Sequence, residues 1–212
     1  MKWEEFVKKV DNLAVIDTEI LLAGVSNQVP VKVQISRWKN SKKLIQLKRG
    51  FYLLSQPYRK TAVNELFTAS LLKKPSYISM EKALEYHNLI PEGVPVYTSV
   101  TTKRPEKLVT EIGAFDYRHI KNSLFWGYDS ININKQTAFI ATPEKALLDF
   151  FYLKGEKKST GYLNEMRLQN LEKVDIDKLL KCAERFKSPG ILHVARAIAK
   201  YIDLYKKEEK TL

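Results

Sequence analysis

From Ile20 to Asn64 the chain contains no aspartate or glutamate, whereas an even spread of its 24 acidic residues over 212 positions would place about five there. An acidic side chain beside a phosphate costs repulsion in a partly desolvated interface, so the missing carboxylates matter as much as the cations. The segment therefore favours a surface that faces phosphate. Its cations are Lys32, Arg37, Lys39, Lys42, Lys43, Lys48, Arg49, Arg59 and Lys60.

The beginning of the chain predicts two helices and a tight turn. Apolar residues recur at helical spacing from Trp3 to Val10, with charged residues between them. Asp17 or Thr18 can cap a short second helix through residues 20–22, and Gly24 suits the left-handed backbone that ends it. The segment thus supplies the first helices of a helix-turn-helix.

A third helix is predicted after Asn27 or Gln28, with Pro30 in the first turn, where its missing N–H is not needed. One stripe of this helix is apolar and consists of Val31, Ile35 and Trp38. A second stripe, about 100° away, is polar and cationic. The polar stripe consists of Lys32, Ser36, Lys39 and Lys43, with Gln34 and Arg37 on its flanks.

The next pattern predicts a β-hairpin with a basic tip. Ile45 and Leu47 lead into Lys48, Arg49 and Gly50, and residues 51–54 lead out. Three helices followed by such a hairpin indicate a winged helix-turn-helix, whose third helix enters the major groove. Lys48 and Arg49 would then lie beside the DNA backbone. The alternative is an amphipathic helix followed by an ordinary hairpin with solvated charges.

Beyond Pro57 acidic residues return, which predicts a boundary between a winged helix-turn-helix at 1–58 and a second domain at 59–212. The second domain is predicted as a larger mixed α/β unit that ends in helices, so the fold class is mixed α+β. Helices are expected at 61–72 and at 80–87, the second capped by Ser79 and terminated by Asn88. Another begins at Thr142 and Pro143, and strands are expected at 96–102, 108–112, 130–133 and 139–140.

Several motifs give the chain a resemblance to a known family over about residues 1–153. They are Leu47–Tyr52, Pro75–Ser79 with Ala83–Leu84, His87–Pro91 and Ile140–Asp149. Their order and spacing resemble the AbiEi family of antitoxins and transcriptional regulators of type IV toxin-antitoxin and abortive-infection systems. The resemblance implies a winged helix-turn-helix that represses its own operon and a C-terminal domain that neutralises a cognate nucleotidyltransferase toxin. This chain has Asn88 where a glycine is commoner, which preserves the backbone role.

Within the last motif, Lys145 and Asp149 stand four residues apart on the predicted helix. Two interpretations are open. The pair forms a surface ion pair worth a few tenths of a kcal/mol, or it belongs to a surface that neutralises the toxin.

The residues give no clear catalytic or metal-binding motif. Cys182 is the only cysteine, and His87, His119 and His193 have none of the spacings that bring metal ligands together. A polar cluster from Asp116 to His119 is open to a nuclease-like interpretation or to a plain strand edge or loop. No enzyme, cofactor or metal is therefore expected.

The expected partner is double-stranded operator DNA, in the form of an inverted repeat, together with the toxin. The alternatives are an RNA-binding protein that uses the same basic surface, a stand-alone transcription factor and an enzyme. The start of the chain lacks a signal peptide's apolar stretch, and no segment has the roughly 20 apolar residues of a membrane span. We therefore expect a cytoplasmic protein without a membrane partner. The predicted DNA-binding residues are Gln28, Lys32, Ser36, Arg37, Lys39, Lys43, Lys48 and Arg49.

Overall fold

The computed structural model describes residues 2–155 and 160–209, and these form a mixed α+β protein, as the sequence predicts. Their first elements form an N-terminal unit of helices around a three-stranded antiparallel sheet of order β1-β3-β2. In chain order these elements are α1 (Trp3–Val10), β1 (Ile16–Asp17), α2 (Thr18–Leu21), α3 (Val29–Asn40), β2 (Leu44–Lys48) and β3 (Phe51–Leu54).

Local signals explain these elements. The Asp17 side chain accepts a hydrogen bond from the backbone N–H of Glu19 at 3.0 Å, which caps α2. Gly24 and Gly50 have φ of +79° and +91°, a backbone region that glycine enters without a side-chain penalty. The apolar faces of α1 and α3 meet the sheet in a small core of Phe6, Val10, Ile16, Ile35, Trp38, Leu44 and Leu54.

The remaining elements surround a larger mixed sheet of order β6-β7-β5-β4-β9-β8. The strands β4 and β9 pair in parallel, as do β5 and β7. These elements are α4 (Glu65–Leu72), β4 (Ser76–Ile78), α5 (Met80–Tyr86), β5 (Val96–Thr101), β6 (Glu106–Thr110), β7 (Gly113–His119), β8 (Tyr128–Ile133), β9 (Gln136–Ala141), α6 (Pro143–Lys154), α7 (Thr160–Glu165), α8 (Ile176–Arg185) and α9 (Pro189–Glu209).

The N-terminal sheet packs against the larger part of the molecule. Val15, Leu47 and Leu53 are buried in the main hydrophobic core, together with residues of α4, the larger sheet and α6. Side-chain hydrogen bonds also fix the segment between the two parts. Lys60 pairs with Asp11 at 2.8 Å, and the Gln136 amide donates to the backbone oxygen of Ala62 at 2.9 Å.

Two local expectations need correction. The helix predicted from residue 61 begins at Glu65, because the Asn64 side chain caps it by accepting from the N–H of Phe67 at 3.0 Å. The strands β1 and β4 were not predicted, and β7 was foreseen only as a strand edge or loop over residues 116–119. All three residues of β4 are buried, so the sequence shows no alternation there. Asn88 does adopt the expected left-handed backbone, with φ of +57°.

None of the described helices is both long and apolar enough to cross a membrane.

Candidate nucleic-acid interface

Helix α3 presents a polar, cationic face to solvent. Its opposite face is fixed by Ile35 and Trp38, which are buried, and the Trp38 ring lies 4.6 Å from that of Phe6. The residues on the outer face are exposed, namely Lys32, Ser36, Arg37 and Lys39. Among the described residues, no carboxylate forms an ion pair with these three cations. Their charges are therefore available to an anionic ligand.

The exposed face of α3 also carries two valines that the sequence patterns did not single out. Val29 is 67% exposed and Val33 is 45% exposed. They lie four residues, about one turn, apart and are both exposed, so they share the outer side of the helix. Exposed β-branched residues between cations form a surface that can contact apolar as well as charged groups.

A cleft of about 410 Å³ is lined by residues of α2, α3 and the β2–β3 hairpin. Gln28, Lys32 and Arg49 line this cleft together, as do Thr18, Glu19, Ile35, Gly50 and Tyr52. The backbone oxygen of Gly50 accepts hydrogen bonds from both the N–H and the hydroxyl of Thr18, each at 2.9 Å, so the tip is fixed against α2. The fold therefore brings Lys32 of α3 and Arg49 of the hairpin tip to the same cleft.

Two predicted site residues have an additional structural role or a different position. The Gln28 amide donates to the backbone oxygen of Leu22 at 3.1 Å, which ties the turn between α2 and α3. Lys43 is not on the helical stripe, because α3 ends at Asn40. Its ammonium instead lies 5.0 Å from the centre of the Trp3 ring, and the residue is half-buried.

Lys48 does not point to the same side as Arg49. Its ammonium donates to a carboxylate oxygen of Glu106 at 2.9 Å and to the backbone oxygen of Leu72 at 3.4 Å. Lys73 donates to the same Glu106 oxygen at 2.5 Å. Burial alone would raise the pKa of Glu106, but the hydrogen bonds from Lys73 and Lys48 hold it below its usual value. The expectation that Lys48 lies beside DNA is therefore corrected, because this residue joins the hairpin to the larger sheet.

The Lys145–Asp149 pair is buried, so neither interpretation as a surface feature holds. Both side chains are 0% exposed and contact each other directly. The Asp149 carboxylate also accepts from the hydroxyls of Tyr77 at 2.9 Å and Ser79 at 2.8 Å. Ser79 occupies the N-cap position of α5, but its hydroxyl donates to the Asp149 carboxylate and makes no capping hydrogen bond to the helix. Burial raises the pKa of Asp149. The pair forms an internal polar network and cannot be a toxin-contacting surface.

The polar cluster considered as nuclease-like lies on β7. Asp116 forms an ion pair with Arg118 at 3.0 Å, and the His119 ring nitrogen Nδ1 lies 3.1 Å from the backbone oxygen of Lys103. His87 contacts the backbone oxygen of Ala141 at 2.7 Å. Among the described residues, no group of three histidine, cysteine or acidic side chains could hold a metal ion.

No protein-family model matches this chain, and no curated protein matches it. The resemblance to AbiEi proteins therefore rests on the motifs quoted above.

Proposed function

We propose that this chain is a DNA-binding antitoxin that represses its own type IV toxin-antitoxin operon in the cytoplasm and counteracts a nucleotidyltransferase toxin. The DNA-binding part rests on one observation, which is that α3 exposes cations without an ion-pair partner among the described residues, one of which, Lys32, lines a cleft with Arg49 of the hairpin tip. The antitoxin part rests on the family resemblance. In this proposal residues 1–58 act as a winged helix-turn-helix.

The dimensions and composition of α3 support a position in the major groove. The helix has 12 residues and is therefore about 18 Å long, and the major groove, about 12 Å wide, admits an α-helix. Lys32, Ser36 and Arg37 offer hydrogen-bond donors to base edges and phosphates. Val29 and Val33 offer apolar contacts to thymine methyl groups.

The hairpin tip supports the same orientation. Arg49 lies across the cleft from Lys32, so a duplex that receives α3 in its groove would bring a phosphate strand past the tip. Glu19 lines the cleft as well. Its carboxylate would repel phosphate, so we expect the contact with the DNA backbone on the Arg49 side of the cleft.

The test is footprinting of the full chain on the DNA upstream of its own gene. We expect protection of an inverted repeat by the wild type and its loss in the Lys32→Ala/Arg37→Ala variant. Lys181→Ala/Lys200→Ala is the matched control, because these exposed lysines lie on α8 and α9. Equal protection by all three proteins, or preferential binding of RNA in competition, would contradict the proposal.

The antitoxin part needs a separate test. Cells that express the nucleotidyltransferase encoded beside this gene should stop growing, and co-expression of the wild-type chain should restore their growth. The Lys32→Ala/Arg37→Ala variant, expressed from a foreign promoter, should restore growth equally well. Absence of such a neighbouring gene, together with operator binding, would leave a stand-alone transcription factor.

A further inference from the structure

A cavity of about 310 Å³ lies against the larger sheet, outside the predicted DNA-binding unit. Strands β5 and β7 form its floor, because Thr98 pairs in register with Asp116 in these parallel strands and paired side chains point to the same face. The Thr98 hydroxyl donates to the backbone oxygen of Ser79 at 2.7 Å and accepts from the N–H of Lys82 at 3.1 Å. These two hydrogen bonds fix the start of α5 over the floor of the cavity.

Two ion pairs border this cavity. Asp116 pairs with Arg118 at 3.0 Å on β7, and Glu81 of α5 pairs with Lys154 at the end of α6. Of the described residues that line the cavity, these four alone are charged. The two carboxylates balance the two cations, so a ligand with no net charge of its own brings no uncompensated charge into the cavity.

Both pairs keep hydrogen-bonding capacity that the described residues do not use. Nε and Nη2 of Arg118 reach the same oxygen of Asp116, Oδ2, at 3.1 and 3.0 Å, and no hydrogen bond from a described residue reaches Oδ1. Oε2 of Glu81 is buried and likewise accepts no hydrogen bond from a described residue. A guanidinium has five N–H donors and an ammonium has three, so Arg118 and Lys154 retain donors. The cavity therefore offers acceptors to an ammonium group and donors to a carboxylate group.

The rest of the cavity wall is mainly apolar. Val94, Pro95 and Val96 line it together with Met80. Small-molecule sites have this composition, with apolar walls and a few polar groups that fix the orientation of the ligand, and their volumes begin at about 300 Å³. Met80 has a left-handed backbone with φ of +58°, and strain of this kind clusters at ligand sites. The volume and the wall favour a small ligand with a short aliphatic part.

We propose that this cavity binds a free aliphatic α-amino acid. The ammonium group of the ligand donates to Oδ1 of Asp116 and to the Glu81 carboxylate. Its carboxylate accepts from Arg118 and Lys154, and its side chain contacts the apolar wall. An α-amino acid carries both charges and no net charge, which matches the four charged groups of the cavity. This binding site goes beyond the proposed function and does not depend on DNA binding.

The first test is isothermal titration calorimetry of the full chain with L-valine, L-leucine and L-isoleucine. We expect saturable binding of at least one of them. The amino acid that binds most tightly is then compared with the amine and the carboxylic acid that have the same side chain, which for L-leucine are 3-methylbutylamine and 4-methylpentanoate. Each analogue should bind at least about tenfold more weakly, because it leaves one set of charged groups without hydrogen bonds.

The second test uses variants on each side of the cavity. Asp116→Asn keeps the shape of the side chain but removes its charge, and Arg118→Gln removes donors for the ligand carboxylate. Each should weaken binding of the amino acid at least about tenfold. Glu81→Gln replaces Asp116→Asn if thermal melting shows that the latter is unfolded. Asp129→Asn, at an exposed position on β8, is the matched control and should bind as the wild type does.

Three results would overturn this inference. They are the absence of saturable binding of all three amino acids by the wild type, equal affinity for the amino acid and either analogue, and unchanged affinity in the variants of both sides. A wild type that binds the amino acid but no duplex DNA would support this inference and contradict the proposed function. A wild type that binds the operator but no amino acid would do the reverse.

Discussion

Two sets of charged residues stand out in this chain, and the fold gives them opposite surroundings. The cations Lys32, Arg37 and Lys39 of α3 and Arg49 of the hairpin tip face solvent, and Lys32 and Arg37 have no carboxylate partner in the described part of the chain. Lys145 and Asp149 of α6 are fully buried and satisfy each other together with Tyr77 and Ser79. The comparison distinguishes exposed cations that can bind a ligand from buried charged residues that pair with each other inside the protein. The first set should govern binding and the second should govern stability.

The largest expected effect concerns the buried pair. Replacement of Asp149 by alanine leaves the Lys145 ammonium buried without a counter-charge, which should lower the free energy of unfolding by about 3–5 kcal/mol. Urea denaturation measures this. Glu184→Ala, at an exposed position on α8, is the control and should change stability by no more than about 0.5 kcal/mol. A loss below about 1 kcal/mol in Asp149→Ala would mean that the network is not required.

A double variant sharpens the same point. When both charges are replaced, as in Lys145→Met/Asp149→Leu, no unpaired charge remains in the core, and the loss should be smaller than in Asp149→Ala alone. A double variant that is less stable than the single variant would contradict this explanation.

The second effect concerns the exposed set. Arg37→Ala should weaken operator binding by about 1–3 kcal/mol if the guanidinium contacts a base, while the urea midpoint stays unchanged because the side chain is exposed. Binding is measured by anisotropy, with Lys200→Ala as control. Loss of stability without loss of binding would reverse the assignment of the two charge sets.

A third, smaller effect concerns specificity. The Val29→Ala/Val33→Ala variant should discriminate less between the operator and an unrelated duplex, by about 1 kcal/mol for each lost thymine contact. Binding to the unrelated duplex should hardly change, since that binding depends on phosphates. An equal loss on both duplexes would show that the valines serve the structure of α3 rather than its recognition of bases.

The smallest effect concerns the junction between the two parts of the molecule. Glu106→Gln should lower stability by about 0–1 kcal/mol, as for other partly exposed ion pairs. The folded-state pKa of Glu106 lies below its usual value of 4.5, so the contribution is complete above that pH and is lost as pH falls through the folded-state pKa. The variant should lose this part of the pH dependence in urea denaturation. If the free energy of unfolding of the variant depends on acidic pH just as that of the wild type does, the ion pairs of Glu106 with Lys48 and Lys73 do not contribute to stability.

The elements that the sequence predicts well are those with local signals. The period of α1, the proline in the first turn of α3, the glycine of the hairpin tip and the cap at Thr142 all act within a few residues of the chain. The surroundings of Lys145 depend on Tyr77, which is 68 residues away, and those of Lys48 depend on Glu106, which is 58 residues away. A one-dimensional pattern does not specify such long-range partners, so burial and pairing had to come from the structure.

The central claim is that the exposed cations of α3 form the main contact with duplex DNA. The most direct test is the salt dependence of operator binding by the wild type and by Lys32→Ala/Arg37→Ala. If both residues contact phosphate, the slope of log K against log salt should fall by about 1.8, and if one reads a base it should fall by about 0.9 with a loss of sequence preference. An unchanged slope and an unchanged sequence preference would contradict the claim.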